Sequence, residues 1–195
     1  MANICLDTVV FYCDESNKEL LKALGTAVEK CYPPQMPCNK QQISVLTEHL
    51  GVDTNGLSLR GDVSYYDVAD DYIKLYVDTA WTPLYGCYQA IARHFCLNFV
   101  MRSEEPGCGL FINTDVDGCF MTERYRLCLS CDGAVDVAYE KLYEEQPDRE
   151  AYFETEQELL EYLSKYGFVA ETFAEACEIL DSEYVSINEF RESYE

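Results

Sequence analysis

The chain has 195 residues, 48% of them hydrophobic, and carries 36 acidic side chains against 14 basic ones, a formal net charge of −22. A field this negative repels nucleic acid and anionic membranes and attracts basic protein surfaces. Its 16 Tyr and 9 Phe exclude an acidic disordered chain, which lacks the apolar side chains needed to fold. The length suits one ordinary domain plus an appendage, or two small domains. The N-terminus shows no basic segment leading into an apolar one, and no apolar run approaches the ~20 residues of a membrane span. With 11 cysteines, an odd number, the simplest expectation is a reduced, cytoplasmic protein.

Residues 4–12 are β-branched and aromatic and predict a strand. Ser16 and Glu19 have the spacing of a capping box, followed by Leu20, Leu21, Leu24 and Val28 at helical intervals, with Pro33 and Pro34 beyond the end. Residues 33–61 are less regular and read as an insertion, with a short helix capped by Asn39, carrying Ile43, Leu46 and Leu50, and stopped by Gly51. Residues 62–68 and 72–79 predict two strands; Ile73, Leu75 and Val77 alternate with Tyr72, Lys74, Tyr76 and Asp78. Thr82 and Pro83 predict a helix start, with Leu84, Cys87, Tyr88, Ile91 and Phe95 as the apolar stripe. A strand over 97–102 follows, and then a turn at Glu104-Glu105-Pro106-Gly107. Residues 110–113 and 119–125 read as a hairpin around Asp117-Gly118.

The order over residues 1–131 is that of a ferredoxin-like split βαβ sheet, of α+β class, extended by the C-terminal hairpin and with helices on one face. Residues 132–195 change character. They hold 19 acidic and four basic side chains and read as an acidic helical appendage. Residues 134–146 predict one helix, ended by Pro147. A second is opened by a Thr155–Glu158 capping box, a third spans 172–180, and a short turn starts near Ser186.

These residues resemble a known family. Met1-Ala2-Asn3-x-Cys5 before a strand, Trp81-x-Pro83 before a helix, and Glu104-Glu105-Pro106-Gly107 after a strand are similar to the YubB-type (Api-type) domain, over roughly residues 1–127. The resemblance implies a ferredoxin-like sheet in an accessory protein of a plasmid, phage or other mobile element. It implies no chemistry.

Several motifs have plain structural explanations. Asn113-x-Asp115-x-Asp117-Gly118 has the spacing of a calcium loop, but the position of the closing Glu is Arg124, and a turn is expected. Cys128-x-x-Cys131 stands without a second close pair, so buried thiols are expected rather than a zinc or redox site. His49 and His94 have no nucleophile motif beside them. No catalytic residue, metal or cofactor is assigned.

What remains is a surface for proteins. Tyr65, Tyr66, Tyr72 and Tyr76 lie on adjacent strands among Asp62, Asp67, Asp70, Asp71 and Asp78, an acidic setting unfit for phosphate. The expected function is therefore a non-enzymatic protein-binding module. Asp62, Asp67, Asp70, Asp71, Glu154, Glu156 and Glu158 would face a basic partner, a nucleic-acid-handling protein, in the manner of a DNA mimic. Two alternatives stand beside it. One is a ligand-binding or enzymatic pocket near Trp81, Pro83, Tyr85, Glu104 and Glu105; the other is an assembly module forming a homodimer through the sheet.

Overall fold

Alternation places the first core. The structure, a computed structural model, describes residues 3–33, 42–130, 137–146 and 148–194. In β1 (Ile4–Tyr12), Cys5, Asp7, Val9 and Phe11 point to one face. Opposite them in register stand Thr79, Val77, Leu75 and Ile73 of β3 (Tyr72–Ala80). β2 (Gly61–Val68), β4 (Asn98–Glu105) and β5 (Leu110–Asn113) complete a five-stranded sheet in the order β2-β3-β1-β4-β5, with every neighbouring pair antiparallel.

Helices α1 (Lys18–Cys31), α2 (Ile43–Leu50) and α3 (Tyr85–His94) share one apolar core with that face. α1 supplies Leu21, Leu24, Val28 and Cys31, spaced three or four residues apart, as one side of a helix requires. Gly25 lets α1 approach the sheet closely, since a Cβ there would lie 2.8 Å from Val68 Cγ1. α2 stops where expected, at Gly51 in the left-handed region (φ 66°).

The chain divides into two units, Met1–Asp115 with Ser193–Glu195, and Val116–Glu192. The second starts ahead of the expected boundary at 131 and is not purely helical. It holds a sheet in the order β7-β6-β8, built from β6 (Tyr125–Leu129), β7 (Glu150–Phe153) and β8 (Val185–Glu189). It also holds α4 (Val137–Glu145), α5 (Glu156–Ser164) and α6 (Phe173–Ile179). Its core joins Leu127 and Leu129 to Leu142, Leu159, Leu163 and Ala176. The turn expected at Ser186 is thus the strand β8, whose Val185 and Ile187 are buried.

Other local expectations change with tertiary context. The Ser16 capping box does not form. A 3-10 turn over Glu15–Asn17 leads into α1, and the Asn17 side-chain Nδ2 donates to the Cys96 carbonyl (2.9 Å) instead of capping. α3 begins at Tyr85, beyond Thr82 and Pro83. β4 runs on through Glu104 and Glu105, which are buried strand residues, and only Pro106–Cys108 turn. The hairpin over 110–125 is replaced by a β4–β5 hairpin, because β6 pairs with β7 and β8. Asn39, Cys131, Pro147 and the first residues of the helix expected from 134 lie outside the described residues.

Candidate functional site

The predicted acidic residues fall into two groups with different duties. In the first unit, Asp62 is exposed near the start of β2, and Asp70 and Asp71 are exposed in the β2–β3 turn. Asp67 is half-buried and accepts the Tyr72 hydroxyl proton at 2.7 Å, a bond that pushes the Tyr72 pKa up. In the second unit Glu154, Glu156 and Glu158 are held by local hydrogen bonds. Glu158 and Thr155 form the expected capping box at α5; Glu158 accepts from the Glu154 and Thr155 amides. Glu156 accepts from the Phe173 amide at the start of α6, and Glu154 from the Thr122 hydroxyl (2.7 Å). Glu156 and Glu158 thereby neutralise the positive ends of α6 and α5, and all three have less freedom to meet a partner.

The five residues of the pocket alternative do not converge on one cavity. Pro83 is buried, and Tyr85 stacks on Tyr194 at 4.8 Å and lies against Phe99 at 5.4 Å. Glu104 and Glu105 are successive strand residues, so they point to opposite faces. Glu104 pairs with Arg102 (3.3 Å). Glu105 accepts from the Gly107 amide through Oε1, while its Oε2 is buried without a partner among the described residues. Trp81 is 43% exposed with φ 72°. Its amide donates to the Asn3 carbonyl (3.0 Å), which helps hold this left-handed backbone, strained by about 1–3 kcal/mol for a bulky residue.

One functional feature was missed by sequence reasoning. Asp7 is buried in mid-strand. Its carboxylate accepts from the Leu84 amide (3.0 Å), the Tyr88 hydroxyl (2.7 Å) and the Cys5 thiol (3.5 Å). It therefore anchors the start of α3 from a different element, the strand β1. Burial raises the Asp7 pKa; the bonds from Tyr88 and Leu84 pull against that rise. The signal available beforehand was one carboxylate inside an otherwise apolar strand.

The other face of the first sheet carries exposed apolar groups. Ile4 is 61% exposed, Leu6 56%, Tyr65 64% and Tyr76 36%. A bulge between Val63 and Tyr65 changes the alternation of β2. Tyr65 consequently meets Tyr76 outside, with ring centroids 5.6 Å apart, while Tyr66 and Val68 pack on the core. The four tyrosines of these strands are thus divided between the two faces. The same outer face is buried at Val10, Val100 and Phe111, so exposure gathers at the Ile4 end of β1 and along β2 and β3. Beside it lies an open groove of 520 Å³ lined by Ile4, Leu59, Arg60, Asp62 and Asp78 among others.

The remaining motifs are local structure. Asn113 accepts from the Asp115 amide (3.0 Å) in an Asx turn, where a calcium loop had been weighed. Cys128 is half-buried, with its thiol near the Leu129 carbonyl. Among the described residues no three His, Cys, Asp or Glu side chains gather as a metal would require, and no helix is long and apolar enough to cross a membrane.

No family model matches the chain, and neither a curated protein nor a solved structure does.

Proposed function

We propose that the chain is a protein-binding module rather than an enzyme. It recognises a basic partner through the exposed end of its five-stranded sheet. The observation that carries this reading is the cluster Ile4, Leu6, Tyr65 and Tyr76, open to water and bordered by Asp62 and Asp78. Exposed apolar and aromatic groups of this kind mark contact surfaces. Tyrosine with carboxylates offers apolar area and hydrogen-bond acceptors together. The net charge steers a cationic partner at low salt. Proteins that handle nucleic acid present basic surfaces of this sort, so an accessory protein acting on one of them is the reading adopted. Glu154, Glu156 and Glu158 of the second unit, held by local hydrogen bonds, play the smaller part in it.

The strand order β2-β3-β1-β4, antiparallel throughout, with α1 following β1 and α3 following β3, supports a ferredoxin-like arrangement for the first unit. The same reading keeps the resemblance to YubB-type domains of mobile elements and a reduced, cytoplasmic setting.

The test is site-specific photo-crosslinking in cells. A crosslinking residue replacing Tyr65 should capture one partner, and extra salt in a lysate should abolish the capture. Leu6→Glu should remove it as well. Equal capture of that partner from position Glu140 on α4 would refute the assignment to the sheet.

A further inference from the structure

Asp62 of β2 stands directly opposite Asp78 of β3 in the strand register. Directly paired strand residues have Cβ atoms about 4.5–5.5 Å apart, and like charges there oppose folding. Among the described residues the only side-chain bond received in this pair is weak, from the Ser64 hydroxyl to Asp78 (3.4 Å). Among the described residues no ion pair reaches either carboxylate; Arg60 lines the same groove and pairs with neither. Both aspartates line the 520 Å³ groove, together with the exposed side chain of Ile4 and the half-buried Leu59. A neutral residue at either position would serve the fold better. Placing two negative charges where they repel, at the mouth of a groove with an apolar wall, matches a site completed by a cation from outside.

We propose that this groove docks an extended basic segment of a partner protein. A Lys or Arg head lies between the Asp62 and Asp78 carboxylates, and the adjoining apolar side chain rests against Ile4 and Leu59. The inference rests on the reading that the partner is basic, and names its anchor. Arginine suits the site better than lysine, since its planar fork can bond to two carboxylates at once. A second copy of this chain is a poor occupant, because each copy brings a charge of −22.

The probe is a capped Leu-Arg-Leu-Arg peptide, with Leu-Gln-Leu-Gln as control, titrated into the isotope-labelled full chain and followed by NMR. The arginine peptide should shift the amides of Ile4, Arg60, Asp62 and Asp78, and the control should not. Asp62→Asn with Asp78→Asn should weaken binding by about tenfold or more. It should also raise the urea midpoint, because the repulsion is gone, so misfolding cannot account for the loss. Binding undiminished in the double variant, or shifts confined to other residues, would overturn the groove assignment. If Tyr65 crosslinking still captures a salt-sensitive partner in that event, the wider reading stands. If neither the peptide nor a partner binds, both fail.

Discussion

The Tyr88 hydroxyl of α3 donates to the Asp7 carboxylate of β1 at 2.7 Å, tying the helix to the sheet across 81 positions of sequence. The same carboxylate receives the Leu84 amide just ahead of the helix. Because burial raises the Asp7 pKa in the fold, the folded chain holds this proton more tightly than the unfolded one. The contribution is full below the unfolded value, near 3.9, and is lost as pH rises through the raised folded value. Asp7→Asn should therefore flatten the fall in stability as pH rises from about 4. Urea melts of both proteins across that range check this; parallel curves would show that Asp7 does not titrate abnormally. Tyr88→Phe should cost about 1–3 kcal/mol in the same melts, since it removes a buried donor to this acceptor.

Gly25→Ala should destabilise the first unit although alanine is the better helix former. The added Cβ would sit 2.8 Å from Val68 Cγ1, forcing α1 away from β2. Overpacking of this kind costs about 1–3 kcal/mol, more than the ~1 kcal/mol gained in helix propensity. Val68→Ala in the same chain should recover part of the loss, measurable as a coupling in a double-mutant cycle.

Two capping boxes of similar appearance should respond differently to mutation. Thr155→Ala removes the acceptor for the Glu158 amide and should cost about 1 kcal/mol. Ser16→Ala removes nothing from the α1 cap and should stay within about 0.5 kcal/mol of the parent. Equal losses in chemical denaturation would mean that Ser16 caps after all.

The thiols should divide by burial under native alkylation followed by peptide mass spectrometry. Cys96, Cys108, Cys119 and Cys177 are exposed, while Cys5, Cys31 and Cys87 are buried. Burial pushes the Cys87 thiol up to about 12 and Cys5 higher still, which removes the reactive thiolate from both. Among the exposed thiols Cys108 should react slowly at neutral pH, because its bond to the Glu105 carboxylate raises its pKa. Labelling of Cys5 or Cys87 at the rate of Cys96 would contradict the core described above.

Alternation and spacing in the sequence were enough to place β1, β2, β3 and β5, the stripe of α1, the Gly51 stop of α2 and the capping box of α5, because these depend on neighbours within a few residues. The candidate site was legible in part. Asp62 stood out by its charge, but its confrontation with Asp78 follows from a strand register that the bulge at Ser64 helps set. Tyr65 and Tyr66 looked alike on paper; the same bulge sends one to water and the other to the core.

Charge and hydrophobic periodicity alone determined that this is an α+β chain with a strongly acidic exterior, since both depend on composition and short-range pattern. Which carboxylates would be free was decided only in three dimensions. Glu156 reaches the Phe173 amide and Asp7 reaches Leu84 and Tyr88, while Asp62 and Asp78 are left facing each other. A buried amide or hydroxyl must find an acceptor wherever the chain brings one, and that pairing spans distances no local pattern encodes.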